Sequence, residues 1–135
     1  METYADTGLV RFEFKDNVIL GQESLRAAEA ATCAVEQDAF WQYHDTLFLN
    51  QAGPFADEDL RLFAAAIGLD EGDFNNCLGS NRYRNEINAA KNEATDLGVE
   101  STPTLRINGQ FVESSGIPSF EQLQSIINQE LSAVQ

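Results

Sequence analysis

Residues 101–113 read STPTLRINGQFVE, and this stretch decides which fold class the chain can adopt. At its centre, Asn108-Gly109 is the strongest short-range signal for a two-residue β-hairpin turn. Residues rich in β-branched and aromatic side chains flank the turn on both sides. We therefore predict one strand over residues 105–107 and a returning strand over residues 110–113.

Helical patterns lie on both sides of this hairpin. Downstream, Ser119 can cap a final helix whose apolar residues recur at helical spacing. Upstream, glycine stops and capping residues divide residues 23–97 into five predicted helices. In order, these are a helix over 23–36; one capped by Asp38, with Phe40, Trp41, Tyr43, His44, Leu47 and Phe48 on its apolar face; one capped by Asp57 and stopped by Gly68; one over 71–78; and one over about 81–97, burying Tyr83, Ile87, Ala90, Ala94 and Leu97.

A second strand-like pattern lies near the start of the sequence. Apolar and charged residues alternate over residues 9–15, which is typical of a strand with one buried face. The residues before it are predicted to be the end of a helix that Thr7 and Gly8 close. The predicted order is strand, five helices, hairpin and helix. This order indicates an α/β protein with a helical block between its strands.

Composition and charge limit the possible functions. The 135 residues include 8 Lys and Arg against 22 Asp and Glu, giving a formal net charge of −14. We therefore expect no binding to nucleic acid or to anionic membrane surfaces, because both require positive side chains. No apolar run approaches the ~20 residues that span a bilayer, so no membrane insertion is expected. The first residues lack the basic and apolar regions of a signal peptide. No metal, nucleotide or Ser-His-Asp motif is present, so we expect no cofactor and no metal.

Several short motifs follow one another in a specific order. They are Ser24-x-x-Ala27-Ala28-x-Ala30 with Cys33-Ala34 and Gln37; Phe40-Trp41-x-Tyr43-His44-Asp45-x-Leu47-Phe48; Ala66-x-Gly68-Leu69-Asp70 with Phe74-x-x-Cys77-Leu78; and Gly98-Val99-x-Ser101-Thr102-Pro103-Thr104 with Ile107-Asn108-Gly109. In this order they resemble the DsbA-like thiol-disulfide oxidoreductases over nearly the whole chain from Tyr4. The resemblance implies an incomplete thioredoxin-like fold with an inserted helical domain. It makes residues 1–135 one DsbA-like domain, with 1–20 and 98–135 as the thioredoxin part and 21–97 as mainly helical insertion.

The two cysteines, Cys33 and Cys77, do not form the Cys-x-x-Cys pair of that family. Both lie inside predicted helices rather than at a helix N-terminus, where a reactive thiolate would be stabilised. Two interpretations remain open from the residues themselves: buried apolar side chains, or a structural disulfide between two helices. The resemblance favours the disulfide if the protein is extracytoplasmic. We expect no catalytic residue among them.

The resemblance implies the protein thiol-disulfide oxidoreductase class, here truncated and without dithiol redox activity of its own. The alternative is a non-catalytic peptide-binding or assembly module that uses the proline loop and the sheet edges. In the family the proline matching Pro103 follows a cis peptide bond, and the residue before it, here Thr102, presents its backbone to a substrate chain. An ordinary trans proline at a strand start is the other interpretation. His44, the one histidine, is interpreted as a packed structural residue.

The resemblance also implies a gap in the sheet. In the family a middle strand separates the strand matching residues 9–15 from the hairpin, and no segment of this sequence matches that strand. Unpaired strand edges invite pairing with another chain. The gap could be closed by direct pairing of the two strands, by a second copy, or by a separate N-terminal piece. We expect a homodimer through sheet completion, with another polypeptide as a possible partner. The residues fix no compartment, and the resemblance suggests an extracytoplasmic or periplasmic one.

Overall fold

The computed structural model describes residues 4–114 and 116–133. The chain divides into two compact units. We call residues 15–97 the helical unit, and residues 1–14 together with 98–135 the hairpin unit.

The helical unit contains five α-helices. They are α1 (Gln22–Val35), α2 (Phe40–Leu49), α3 (Asp57–Ala66), α4 (Glu71–Ser80) and α5 (Arg84–Asp96). Helix α1 lies against each of the other four. Its inward face consists mainly of alanine, so neighbouring helix backbones can approach it closely.

The core of the helical unit lies among α1, α2, α3 and α4. Its largest fully buried apolar side chains are Tyr43, Phe74, Leu60 and Leu78. The hydroxyl of Tyr43 donates a hydrogen bond to the carbonyl oxygen of Leu60 at 2.7 Å, so this buried polar group is satisfied. Burial raises the pKa of Tyr43 far above its usual value, which keeps the phenol neutral.

One predicted helix stop in this unit is confirmed, but two predicted helix caps are not. Gly68 has a φ of 80° and ends α3, as predicted. Asp38 is not a helix cap: its φ of 55° places it in the left-handed turn after α1, and Ala39 precedes α2 without a side-chain cap. Asp57 is the first residue of α3 rather than its cap. The capping prediction was wrong at both positions, because Asp38 forms part of the turn itself and the Asp57 carboxylate binds Arg26.

Three further expectations for this unit need correction. Helix α5 starts at Arg84 rather than near Asn81, because Asn81 takes a left-handed conformation (φ 53°) that ends α4. Leu97, which was predicted to be buried, is exposed. On α2, Tyr43 is fully buried, but Trp41 and Phe48 are exposed. The apolar stripe read from the sequence is wider than the face that the core covers.

The hairpin unit contains β1 (Arg106–Ile107), β2 (Gln110–Phe111) and α6 (Phe120–Ala133). The strands pair antiparallel, with Arg106 opposite Phe111 and Ile107 opposite Gln110. The turn residues Asn108 and Gly109 have φ values of 48° and 81°, as a type I′ turn requires. The predicted hairpin is therefore confirmed, although its strands are shorter than expected.

Helix α6 begins with reciprocal hydrogen bonds. The Ser119 hydroxyl accepts from the Gln122 backbone N–H at 3.3 Å, and the Gln122 side-chain oxygen accepts from the Ser119 N–H at 2.7 Å. This arrangement is a capping box, and it confirms Ser119 as the start signal. Tyr4 donates to the Asn128 side chain at 3.0 Å, which ties the first described residues to α6.

The predicted strand over residues 9–15 is absent. These residues form no strand, and the sheet among the described residues contains β1 and β2 alone. The alternating pattern shows which side chains could share a face, but a strand also requires a backbone partner. Just before this segment, Leu9 N–H bonds to Tyr4 C=O and Gly8 N–H bonds to Ala5 C=O, at 3.1 and 3.0 Å. This is the glycine stop that the sequence indicated at Gly8. The first three residues of the predicted helix end lie outside the described part.

Candidate functional site

An open groove in the hairpin unit lies beside the proline loop. Its volume is about 450 Å³. It is lined by Ser101, Thr102, Pro103, Thr104, Leu105, Val112, Ser114, Gly116, Ile117 and Pro118. These lining residues combine hydroxyl and apolar groups and include no titratable side chain. Such a surface can bind an extended chain, but among the described lining residues it offers no acid or base that could activate a hydroxyl.

The peptide bond between Thr102 and Pro103 at one side of this groove is cis. Thr104 donates its hydroxyl to the Ser101 carbonyl oxygen at 2.5 Å, which closes the loop around the proline. On the other side Ile117 is 78% exposed, so the apolar part of the groove is open to solvent.

Strand β1 begins beside this groove. In the described sheet it pairs with β2 along one edge, and no strand pairs with its other edge. The Val112 N–H donates to the Leu105 carbonyl at 2.9 Å, so residues 105 and 112 form a hydrogen-bonded pair. Because such pairs alternate in an antiparallel ladder, the backbone groups of Thr104 and Arg106 point away from β2. The geometry leaves a short row of donors and acceptors beside the groove.

Arg106 is the cation next to this edge. Its Nε and one terminal nitrogen donate to the Gly109 carbonyl oxygen at 3.1 and 2.6 Å. Its guanidinium carbon lies 5.3 Å from the centre of the Phe111 ring. These contacts hold the guanidinium over the hairpin turn.

The two cysteines lie in the helical unit. Cys33 of α1 and Cys77 of α4 form a disulfide with a Cα–Cα distance of 5.8 Å. They are 2% and 1% exposed, respectively. The sequence left this disulfide as one of two alternatives. Burial of both sulfurs on helix faces gives them a structural setting rather than that of an exchanging pair.

His44 belongs to an aromatic cluster on α2. Its ring centre lies 5.9, 5.4 and 4.6 Å from those of Phe40, Trp41 and Phe48. Burial raises the pKa of the nearby Asp16 carboxyl, and the charge of His44 partly opposes this shift. His44 is half-buried in the structure, and its packing on three rings supports the structural interpretation.

A buried charge network in the helical unit was missed from the sequence. Glu29 of α1 is 2% exposed and binds two arginines: Arg26 at 2.5 Å and Arg84 at 2.7 Å. Arg26 also forms two hydrogen bonds to the Asp57 carboxylate, at 2.7 and 2.6 Å. The network therefore joins α1 to α3 and α5. One signal was available: Glu29 lies four residues after Leu25 and four before Cys33, on the apolar face of α1.

Asp57 gives this network a predictable dependence on pH. The hydrogen bond from Arg26 is the main cause that lowers the pKa of the Asp57 carboxyl below its usual 3.8 in the folded state. A lowered folded pKa stabilises the protein above the unfolded value, and this contribution is lost as the pH falls through the folded pKa. Asp57→Asn should therefore reduce the free energy of unfolding at neutral pH but not in acid. Urea unfolding from about pH 7 to about pH 2.5 measures this, and a difference that stays constant over that range would contradict it.

The described residues place two limits on other kinds of site. Among them, no group of three or more His, Cys, Asp or Glu side chains could hold a metal ion. None of the six helices described combines the length and the apolar character needed to cross a bilayer.

The fold and the proline-loop groove define a thioredoxin-like protein. Residues 1–129 match the family model described as Thioredoxin, and the chain belongs to this family. The structure of the thiol-disulfide exchange protein alpha-DsbA2 from Wolbachia pipientis matches with a TM-score of 0.79 and 29% identity, covering 93% of this chain and 68% of that chain. A thioredoxin-like oxidoreductase from Silicibacter pomeroyi DSS-3 matches in fold, with a TM-score of 0.72, 24% identity, and coverage of 87% and 66%.

Curated relatives also match the chain, and one of them is named for disulfide bond formation. A probable disulfide bond formation protein D from Bacillus anthracis is 27% identical over 138 residues, covering 96% of this chain and 62% of that protein. The Na(+)/H(+) antiporter NhaA 3 of Salinispora tropica is 40% identical over 85 residues, covering 62% of this chain and 13% of the antiporter. The chain thus spans less than two thirds of the length of either relative. The DsbA-like thioredoxin fold predicted from the sequence is confirmed by the family model and by the structural match to alpha-DsbA2.

Proposed function

We propose that the chain takes part in thiol-disulfide exchange on polypeptides, and that its own share of this work is to hold the substrate chain. The observation that carries this proposal is the open groove at the cis Thr102–Pro103 bond, beside the free edge of β1. An extended peptide could pair with the backbone groups of Thr104 and Arg106 while its side chains enter the groove. The reacting dithiol is not supplied by Cys33 and Cys77, which are buried in a disulfide.

A substitution that fills the groove tests the proposal. Gly116 lines the groove, and a Cβ placed there would meet no atom within 4 Å, so the side chain of Gly116→Phe starts in open space and should occupy the binding space. Gly79, on the exposed side of α4, has the same free space, so Gly79→Phe is the matched control. We expect Gly116→Phe to weaken binding of an unfolded reporter peptide by about tenfold, a loss of about 1.4 kcal/mol. Fluorescence anisotropy measures the affinity of both variants.

Two results would count against this proposal. Equal affinity of Gly116→Phe and Gly79→Phe for the peptide would place binding elsewhere. Insulin reduction catalysed by this chain alone, and abolished by Cys33→Ser, would show that its own cysteines perform the exchange.

We also propose that two copies associate through the free edges of the hairpin. Every fully buried side chain among the described residues belongs to the helical unit, and the hairpin unit contributes none. A two-stranded hairpin is marginally stable on its own, and additional strands would supply the missing support. Size-exclusion chromatography with light scattering should give twice the chain mass of 14.9 kDa. A monomer at micromolar concentration would contradict the proposal.

The compartment proposed for the protein is extracytoplasmic. The Cys33–Cys77 disulfide supports this, because disulfides persist in oxidising compartments and are uncommon in the reducing cytosol. Alkylation of the protein in intact cells, before lysis, would reveal free thiols if the protein resides in the cytosol.

A further inference from the structure

The disulfide between Cys33 and Cys77 has an acidic neighbour. Glu36, the residue that follows α1, places its Oε1 atom 3.7 Å from Sγ of Cys77. Both cysteines are oxidised, so no S–H group donates a hydrogen bond to this oxygen. The contact places a negative charge directly beside one sulfur of the disulfide.

Two side chains from the short connection between α4 and α5 hold the Glu36 carboxylate in place. Nε of Arg82 donates to Oε1 at 2.9 Å, and the hydroxyl of Tyr83 donates to the same oxygen at 2.6 Å. A terminal nitrogen of Arg82 also pairs with Oε2. The hydrogen bond from Arg82, followed by that from Tyr83, lowers the pKa of the Glu36 carboxyl. The group is therefore a carboxylate at neutral pH.

We propose that the Glu36 carboxylate protects the Cys33–Cys77 disulfide from thiol-disulfide exchange. The proposal does not depend on the peptide-binding function. In exchange, a thiolate attacks one sulfur, the S–S bond breaks, a mixed disulfide forms, and the other sulfur leaves as a thiolate. A second thiolate then attacks the reductant's sulfur in the mixed disulfide and releases the second protein cysteine as a thiolate. The two reductant sulfurs leave joined by a new disulfide bond. The two thiols thus supply the two electrons and two protons that the cysteines gain.

The position of Glu36 disfavours both directions of attack. A thiolate that attacks Cys77 must bring its negative charge toward the carboxylate. A thiolate that attacks Cys33 expels Cys77, whose developing negative charge lies beside the same carboxylate. Like charges at this distance repel, and the guanidinium of Arg82 offsets part of the carboxylate's charge. Burial of the two sulfurs also slows attack, but burial alone does not distinguish between reductants of different charge.

A variant of Arg82 can distinguish an effect of the Glu36 charge from simple closure of the ion pair over the disulfide. Glu36→Gln and Arg82→Gln break the same ion pair, but they change the charge beside Cys77 in opposite directions. If the pair acts only as a mechanical closure over the disulfide, both variants should be reduced faster. If the carboxylate acts through its charge, Glu36→Gln should be reduced faster and Arg82→Gln more slowly.

The experiment measures the rate of reduction of the purified chain by excess dithiothreitol, with alkylation of the released thiols and mass spectrometry. We expect Glu36→Gln to be reduced about three- to tenfold faster than the wild type, and Arg82→Gln about twofold slower or more. Unchanged or slower reduction of Glu36→Gln, or faster reduction of both variants, would overturn the proposal.

A second measurement removes the effect of any loss of stability. Cysteamine carries an ammonium group and 2-mercaptoethanesulfonate a sulfonate, so the ratio of their reduction rates reports the charge near the disulfide. Easier opening of the fold would speed both reductants equally and leave the ratio unchanged. In the wild type the ratio should favour cysteamine, and in Glu36→Gln this preference should fall about threefold. An identical ratio in the two proteins would also overturn the proposal.

Discussion

Replacing Arg26 by methionine should lower the free energy of unfolding by about 3–5 kcal/mol, because removing one partner of a buried ion pair leaves uncompensated charge. Arg26 donates to carboxylates on two helices, Glu29 and Asp57, and to the Leu78 carbonyl at 3.2 Å. Methionine keeps much of the apolar stem and removes these donors. Glu29, at 2% exposure, would then depend on Arg84 alone. Urea unfolding followed by circular dichroism measures the loss.

The matched control for Arg26 is another arginine of the helical unit. Arg61 of α3 is exposed, so Arg61→Met should change the free energy of unfolding by no more than about 0.5 kcal/mol. A loss below about 1 kcal/mol in Arg26→Met, the range of a surface ion pair, would show that the network contributes little to stability.

Removing the Cys33–Cys77 disulfide should have an effect of similar size. The bond joins residues 44 positions apart. The loop-entropy relation for that length gives about 4 kcal/mol of stabilisation through restriction of the unfolded chain. The double variant Cys33→Ala with Cys77→Ala avoids leaving a free thiol or burying a hydroxyl. Its free energy of unfolding is compared with that of the oxidised wild type in urea.

Reduction of the wild type provides an independent check on the disulfide prediction. The reduced wild type and the double alanine variant should lose similar amounts of stability if restriction of the unfolded chain is the main effect. A loss of less than about 1 kcal/mol in both would show that the native helices already hold the two cysteines together without the bond.

The features predicted correctly from the sequence depend on local chemistry. The hairpin turn at Asn108-Gly109 needs two residues that tolerate positive φ, and both adopt it. The stop at Gly68 and the capping box at Ser119 also follow from the residues themselves. By contrast, the cis bond at Thr102–Pro103 was expected from the family resemblance, since the residues alone left a trans proline open.

The features that the sequence could not give depend on distant partners. Residues 9–15 have a strand-like pattern, but no strand forms there because pattern alone supplies no backbone partner. Asp57 was interpreted as a cap, whereas its carboxylate binds Arg26, 31 positions earlier in the chain. The groove beside Pro103 and the carboxylate beside Cys77 also arise from tertiary packing, so no sequence motif predicts them.

The placement of all fully buried side chains between Leu25 and Ile87, among the residues that the structure describes, has a consequence for folding cooperativity. Amide hydrogens are protected from exchange with solvent mainly where opening must expose packed apolar surface. The slowest-exchanging amides should therefore lie in α1, α2 and α4, and their protection should report global unfolding. Amides of the hairpin and α6 would exchange through smaller openings that leave the helical unit folded. A ligand that binds the proline loop would therefore contact the less stable hairpin unit, where a small binding free energy is enough to order the backbone.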